Sequence, residues 1–283
     1  MKSILKLYTA SFKYLSGYSK DTLEESIDRL YDLTSYVHKI DNIYVDYSIY
    51  EQDIFNGIKL IDILYCSELQ IERDLKSRLE GIFERNIINE ESDIVADAYI
   101  IFYPVANVDG EIYIQNIPEW CLFKRKVLEN NDVSGADFID LAFYIFPQLY
   151  FHDENKKTIN KILMRYKKKI ITALSILNDH LHECTEKSST PKEITDKLNA
   201  FLPQGIDSSP ESSASRRDLC TFNFSNEKKE SENICCELHI KIHSDDMERK
   251  PTRNQPYARI YFHQGKNNIQ NEKILIGHIG DHL

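Results

Sequence analysis

The sequence predicts an α+β protein with a helix-rich, mixed N-terminal half and a C-terminal antiparallel sheet packed on a long helix. Two patterns predict this class. Apolar residues recur at helical spacing over 22–40 and over 156–183, which indicates amphipathic helices. Apolar and polar residues alternate over 235–243 and 257–263, which is typical of strands that bury one face.

The N-terminal half begins with a predicted strand over 3–9, followed by the helix over 22–40. Asp21 and Glu24 have the spacing of a capping box, which places the start of this helix at Asp21. Strict alternation predicts a strand over 43–50. The apolar segment 94–103 fits a buried strand or a helix equally well. The remaining predictions are helices at 53–65 and 67–83 and a strand at 111–114.

Four further helices are predicted between residue 118 and the C-terminal strands. Pro118 is typical of the first turn of a helix, and Ser134 is typical of a helix cap. Thr190-Pro191 likewise indicates the start of a helix. Segment 203–216 is rich in Ser, Pro and Gly, which indicates a mobile loop. We expect a domain boundary between 152 and 153. The predicted elements are helices at 118–129, 135–146, 156–183 and 191–202, an extended segment at 149–152 and strands at 219–224 and after 235.

Composition narrows the class of protein. The chain has 283 residues, of which 42% are hydrophobic, so it can bury a core. Its formal net charge of −10 argues against a broad, non-specific nucleic-acid binder, whose surface would be basic. No segment approaches the roughly 20 apolar residues that span a bilayer, and residues 1–16 do not read as a signal peptide. The six cysteines lack CxxC spacing, so we expect reduced thiols, a cytoplasmic location and no membrane partner.

The candidate site lies on the polar face of the last strands. Alternation places Glu237, His239 and Lys241 on one face of their strand, and it groups Arg259, Tyr261 and His263 in the same way on the next. Metal-independent ribonucleases need a base for the 2′-OH, an acid for the leaving oxygen and cations for the phosphate. The candidate base is Glu237 or His239, the candidate acid is His263 or His278, and Lys241, Arg259 and Tyr261 would contact phosphate. Arg216 and Arg217 are candidates for substrate binding.

Other interpretations of the same residues stay open. The polar row is also what a one-sided antiparallel sheet presents to water. A three-histidine zinc site across adjacent strands is possible, although His239 and His243 lie roughly 13 Å apart on one strand. We assign no metal or cofactor. The pairs His180/His182 and Cys235/Cys236 favour structural roles, at a helix end and in packing. Walker, Rossmann, G-x-S-x-G and kinase signatures are absent from the sequence.

Six segments of the C-terminal half resemble a group of uncharacterised bacterial proteins whose genes are similar to those beside phage-defence and toxin–antitoxin loci. They are FPQLYF (146–151), LSILND (174–179), RRDL (216–219), CELHIKIH (236–243), RIYFH (259–263) and ILIGHIGDHL (274–283). More remotely, a helix followed by antiparallel strands with Glu, His, Arg and Tyr resembles the barnase/RelE-type ribonuclease fold. That resemblance implies metal-free RNA cleavage, with Glu237, His239, Arg259, Tyr261 and His263 as the counterparts. The acidic charge and the additional N-terminal half depart from such toxins, which are usually small and basic.

Two function classes follow. The first is an endoribonuclease effector of a bacterial anti-phage defence or toxin–antitoxin system, with RNA as substrate and residues 1–152 as a regulatory or partner-binding region. The alternative is a non-enzymatic adaptor or sensor subunit that binds a larger nuclease or ATPase of the same operon. The acidic charge suits an adaptor for a basic partner.

Overall fold

The computed structural model describes residues 2–14, 18–66, 72–89, 95–105, 110–186, 188–225, 230–243 and 258–283. It forms two compact units, Met1–Phe123 and Lys124–Leu283. The predicted boundary between 152 and 153 falls inside the second unit instead, because residues 149–151 form a strand of the C-terminal sheet. The predicted α+β class is confirmed.

The first unit is built on a five-stranded sheet in which all neighbouring strands are parallel, in the order β5-β2-β1-β6-β7. The elements, in chain order, are β1 (Ile4–Leu7), α1 (Lys20–Val37), β2 (Asn42–Val45), β3 (Asp53–Phe55), β4 (Ile58–Lys59), α2 (Leu60–Tyr65), α3 (Arg73–Glu80), β5 (Ile88–Asn89), β6 (Ala98–Ile100) and β7 (Tyr113–Ile114). The next helix, α4 (Ile117–Asn130), begins in the first unit and ends in the second. Short turns of 3-10 helix lie at Thr9–Phe12 and Tyr47–Glu51, and a π turn, Gly81–Asn86, continues α3.

Register explains which face of this sheet is buried. Leu5 pairs with Ile43 on one side and with Ala98 on the other, and all three side chains are buried. Alternation turns the neighbouring residue, Lys6, to the opposite face, where it is half-buried. Helix α1 begins two residues earlier than predicted, because the hydroxyl of Ser19 rather than Asp21 caps it and accepts the Thr22 N–H at 3.1 Å.

Two N-terminal predictions are wrong for physical reasons. The predicted helix over 53–65 is a hairpin of β3 and β4 followed by α2, since Asn56 and Gly57 adopt positive φ of 48° and 80° in a two-residue turn. The predicted strand over 43–50 ends at Val45. The carboxylate of Asp46 accepts the Ser48 N–H at 2.8 Å and starts a 3-10 turn instead. Residues 98–100 of the ambiguous segment form strand β6.

The second unit contains a five-stranded sheet of order β8-β14-β13-β12-β9 and a separate two-stranded hairpin, β10-β11. A 3-10 turn lies at Ala214–Arg216 and another at Gln270–Glu272. The elements are α5 (Gly135–Ile145), β8 (Leu149–Phe151), α6 (Asn155–Thr158), α7 (Asn160–Thr185), α8 (Pro191–Leu198), β9 (Ile206–Pro210), β10 (Thr221–Ser225), β11 (Ser231–Cys235), β12 (Leu238–Ile242), β13 (Ala258–His263) and β14 (Ile274–Gly280).

The predicted packing of this sheet on the long helix is confirmed, since α7 packs against β12 and β14. Strand pairs are antiparallel except β14 with β8, which is parallel. The apolar residues Ile240 and Ile260 face each other across β12 and β13 and are fully buried. The predicted loop over 244–256 lies outside the described residues.

Segment 203–216 was expected to be a mobile loop, and that expectation is wrong for Ile206–Pro210. These residues form β9, an edge strand that pairs antiparallel with β12. The side chain of Asn199 accepts the Ser208 N–H at 2.6 Å and donates to the Ser208 carbonyl at 3.0 Å. The carboxamide of Asn199 therefore satisfies both backbone groups of Ser208 on the outer side of β9, which composition alone does not indicate.

The hairpin of β10 and β11 contributes a second, smaller core on the opposite side of the sheet from α7. Phe224 and Ile234 of the hairpin pack in one cluster with Tyr261 and Leu275 of the sheet. The polar face of the sheet is therefore partly covered. In the described part of the chain, no helix has the length and apolar character needed to cross a membrane.

Candidate functional site

The ladder of the C-terminal sheet aligns four polar residues from four adjacent strands. His239 on β12 lies directly opposite Ser209 on β9 and Tyr261 on β13, and Tyr261 lies opposite His278 on β14. The ring centroids of His239 and Tyr261 are 5.2 Å apart, and those of Tyr261 and His278 are 6.0 Å apart. Directly opposite residues share a face, so three of the candidate residues, His239, Tyr261 and His278, lie on one face together with Ser209.

A β-bulge brings His278 to that face. Tyr261 pairs with His278, whereas the next residue, Phe262, pairs with Ile276, so Gly277 is an additional residue in β14. An additional residue reverses the alternation beyond it. Ile276 therefore lies on the same face as Phe262, and His278 lies on the face of Tyr261.

Arg259 is the central cation of the site. Its Nη1 donates to the hydroxyl of Tyr261 at 3.1 Å and lies 3.5 Å from Nε2 of His239. The hydroxyl of Ser209 also lies 3.2 Å from that nitrogen. Two donors at Nε2 fit a neutral imidazole that carries its proton on Nδ1. The Nε of Arg259 is buried without a hydrogen-bond partner, and no carboxylate of the described residues pairs with this guanidinium.

A second arginine–imidazole pair lies beside the first. Nη1 of Arg216 donates to Nε2 of His282 at 3.1 Å. The charge of Arg259 also acts on His282, and the buried carboxylate of Glu211 acts on both His239 and His282. We call Arg216, His239, Arg259, Tyr261 and His282 the arginine–imidazole cluster. The sequence suggested neither His282 nor Glu211 as a site residue.

Burial sets the protonation of these groups. Burial lowers the pKa of His239 to about 4, with the charges of Arg259 and Lys241 acting in the same direction. Burial also lowers the pKa of His282, again with Arg259 as a further cause. Burial raises the pKa of the Tyr261 phenol. At neutral pH the imidazoles of His239 and His282 are therefore uncharged, and the cluster carries its positive charge on the two guanidinium groups.

The remaining predicted residues lie outside the cluster or are already paired. Arg217 pairs with Glu237 at 3.2 Å, and Lys241 pairs with Asp207 at 3.4 Å. Nδ1 of His263 accepts the Gly265 N–H at 3.2 Å. Glu237 and His263 line a separate cavity of about 120 Å³ together with Ser188, Ser189, Thr190 and Pro191. The structure thus divides the predicted set into two groups.

The side chains at the site differ in their exposure to solvent. His239, Tyr261 and His278 are 3%, 0% and 8% exposed, and Nε2 of His278 bonds to the carbonyl of Asp281 at 3.0 Å. Arg216 is exposed, and Arg259 and His282 are half-buried. A ligand can therefore reach the guanidinium groups and His282 before it reaches the other two imidazoles.

The structure also bears on the zinc site and on the structural roles suggested for His180 and Cys236. Among the described residues, no group of three or more His, Cys, Asp or Glu side chains is placed to hold a metal ion. His180 stacks on Phe201 with ring centroids 4.3 Å apart, which is a structural contact. Cys236 is fully buried in the core beneath the hairpin, where burial raises the pKa of its thiol.

Comparison of the chain with protein-family models, with curated proteins and with solved structures found no match in any of the three.

Proposed function

We propose that this protein is a metal-independent endoribonuclease effector of a bacterial anti-phage defence or toxin–antitoxin system, and that the arginine–imidazole cluster holds the scissile phosphate. One observation carries the proposal. Arg259 keeps a buried, unpaired N–H and has no carboxylate partner among the described residues. A guanidinium in this condition favours an anion with several acceptor oxygens, and phosphate has that chemistry.

The chemistry follows from the neighbours of the phosphate. The 2′-oxygen attacks phosphorus while a base takes its proton, and the 5′-oxygen leaves with a proton from an acid, which gives a 2′,3′-cyclic phosphate and a 5′-hydroxyl. We assign His239 as the base, because its imidazole is neutral and contacts Arg259. We assign His282 as the acid, since a phosphate between Arg216 and Arg259 would favour its protonation. The two guanidinium groups stabilise the additional charge of the transition state.

The test is cleavage of a short RNA by the purified chain in EDTA, with end-group analysis of the products. We expect cyclic phosphate ends, and we expect R259A to lower the rate by about 10²–10³-fold. The control is K192A, because Lys192 pairs with Asp196 on the exposed surface of α8 in the same unit. Cleavage that is equally fast in R259A, or no cleavage by the isolated chain, would contradict the proposal.

The second candidate is a non-enzymatic adaptor for a larger nuclease or ATPase. The burial of His239, Tyr261 and His278 favours it, because buried side chains are poorly placed to contact a substrate. Tyr261 also packs in the core cluster beneath the hairpin of β10 and β11. The net charge of −10 suits a basic partner. Purification together with the products of neighbouring genes separates the two functions. An adaptor is inert alone and is recovered with one neighbour, whereas an effector cleaves RNA without it.

A further inference from the structure

The first unit contains an apolar cavity that neither candidate function uses. Its volume is about 260 Å³. Residues of α1 and α3 line it, together with residues of α2 and of the hairpin of β3 and β4. The lining residues are Lys20, Leu23, Ile27, Phe55, Ile58, Ile63, Glu72, Leu75 and Leu79.

The walls are made of core side chains. Ile27, Ile63 and Leu79 are buried from bulk solvent, yet each has a surface that faces the cavity. Phe55 and Ile58 stand opposite each other across the hairpin and are half-buried. A concave apolar surface with few polar groups is typical of a small-molecule site. Drug-sized ligands occupy about 300–1,000 Å³, so this cavity suits a smaller molecule.

Both signs of charge meet at the rim of the cavity. The ammonium group of Lys20 contacts the carboxylate of Glu72, and it lies 3.3 Å from the carboxylate of Glu24. The Lys20 and Glu72 side chains are 55% and 62% exposed. An ion pair this exposed contributes little to stability and exchanges partners readily. The rim therefore offers the cation of Lys20 and the carboxylate of Glu72 beside an apolar space, while Glu24 contacts Lys20 without lining the cavity.

We propose that this cavity binds a free α-amino acid with an apolar side chain, such as phenylalanine or leucine. The side chain fills the apolar space. The ligand carboxylate pairs with Lys20, and the ligand ammonium pairs with Glu72. A zwitterion matches the rim because it separates the Lys20–Glu72 ion pair and gives each of these two side chains a new partner of opposite charge. A simple carboxylate would take Lys20 and leave Glu72 without a partner, and a simple amine would compete with Lys20 for Glu72.

The experiment is isothermal titration of the full chain with L-phenylalanine, L-leucine, phenethylamine and 3-phenylpropanoate. The last two ligands keep the ring and each lack one charged group. We expect the amino acid to bind at least about tenfold more tightly than either analogue, because each lacks a charge-assisted contact. K20M and E72Q should weaken amino-acid binding by a similar factor.

The matched control is K59M. Lys59 pairs with Glu51 in the same unit, the side chains are 48% and 61% exposed, and neither residue lines the cavity. This variant should bind the amino acid as the wild type does. All three substitutions are on the surface, so loss of folding does not obscure the result. Equal binding of amino acid and analogues, unchanged binding in K20M and E72Q, or no binding of phenylalanine or leucine would overturn the proposal.

Discussion

The backbone N–H of Ile279 donates to Oδ1 of Asn155 at 2.6 Å, across 124 positions of sequence. The amide nitrogen of the same side chain donates to the carbonyl of Ile276 at 2.9 Å and to that of His152 at 3.0 Å. One fully buried asparagine thus satisfies backbone groups on both sides of the bulge at Gly277. Because the bulge turns His278 toward Tyr261, Asn155 positions that histidine from outside the sheet.

Replacing Asn155 with alanine should lower the free energy of unfolding by about 1–3 kcal/mol, because the buried Ile279 N–H loses its partner. The carbonyls of Ile276 and His152 keep the backbone N–H groups of His152 and Asn155 as donors. Urea unfolding of the purified variant measures this change. The control is N131A, since Asn131 donates to the Val127 carbonyl at 2.8 Å on an exposed surface. That substitution should cost less than about 0.5 kcal/mol. Similar costs in the two variants would show that the bulge does not depend on Asn155.

Replacing Gly277 with alanine should also destabilise the protein, by about 1–3 kcal/mol. An added methyl group at this position overlaps the ring of Phe222 and crowds Sγ of Cys236. A double-mutant cycle with F222A tests the cause, because truncation of the ring removes the main overlap. The cost of G277A should fall in the F222A background. An unchanged cost would place the strain in the backbone of the bulge.

Stability should rise with pH between about pH 4 and 6.5. The pKa of His239 is lowered from 6.5 to about 4 in the folded state, so in this interval the unfolded chain binds more protons. The stabilisation is complete above the unfolded pKa and is lost as the pH falls toward the folded pKa. Its size is on the order of 3 kcal/mol. Burial lowers the pKa values of His263 and His278 as well, in the same direction.

Urea unfolding at several pH values between 4.5 and 7.5 measures this dependence. H239Q should show a smaller slope of unfolding free energy against pH than the wild type. N131A is the control, because Asn131 carries no titratable side chain and lies on an exposed surface, and it should keep the wild-type slope. An unchanged slope in H239Q would mean that other groups cause the dependence.

Alternation predicted most of the polar face correctly. His239 and Tyr261 lie opposite each other, as do Lys241 and Arg259, because regular antiparallel pairing preserves the period of two. His278 reaches this face for a different reason. A bulge is fixed by tertiary contacts such as those of Asn155, and a period-two pattern does not reveal it.

The site residues that the sequence analysis missed include two in a segment whose composition is typical of a loop. Ser209 and Glu211 belong to a stretch rich in Ser and Pro that resembles a loop, yet pairing with β12 draws Ser209 into the sheet. Ion pairing could not be read from the sequence either, so Glu237 was grouped with His239 although it pairs with Arg217. The hairpin at Asn56-Gly57 was recognisable, because this dipeptide is a strong two-residue turn signal. The apolar residues around it gave a helical interpretation instead.

Asn199 has a consequence for how copies of this protein behave at high concentration. An outer strand with free amide and carbonyl groups can recruit a strand from another molecule. Along β9, the carboxamide of Asn199 already occupies both groups of Ser208. The carboxamide thus prevents a strand of another molecule from pairing with β9 at Ser208. Its removal would leave this edge of the sheet free to pair and would favour aggregation.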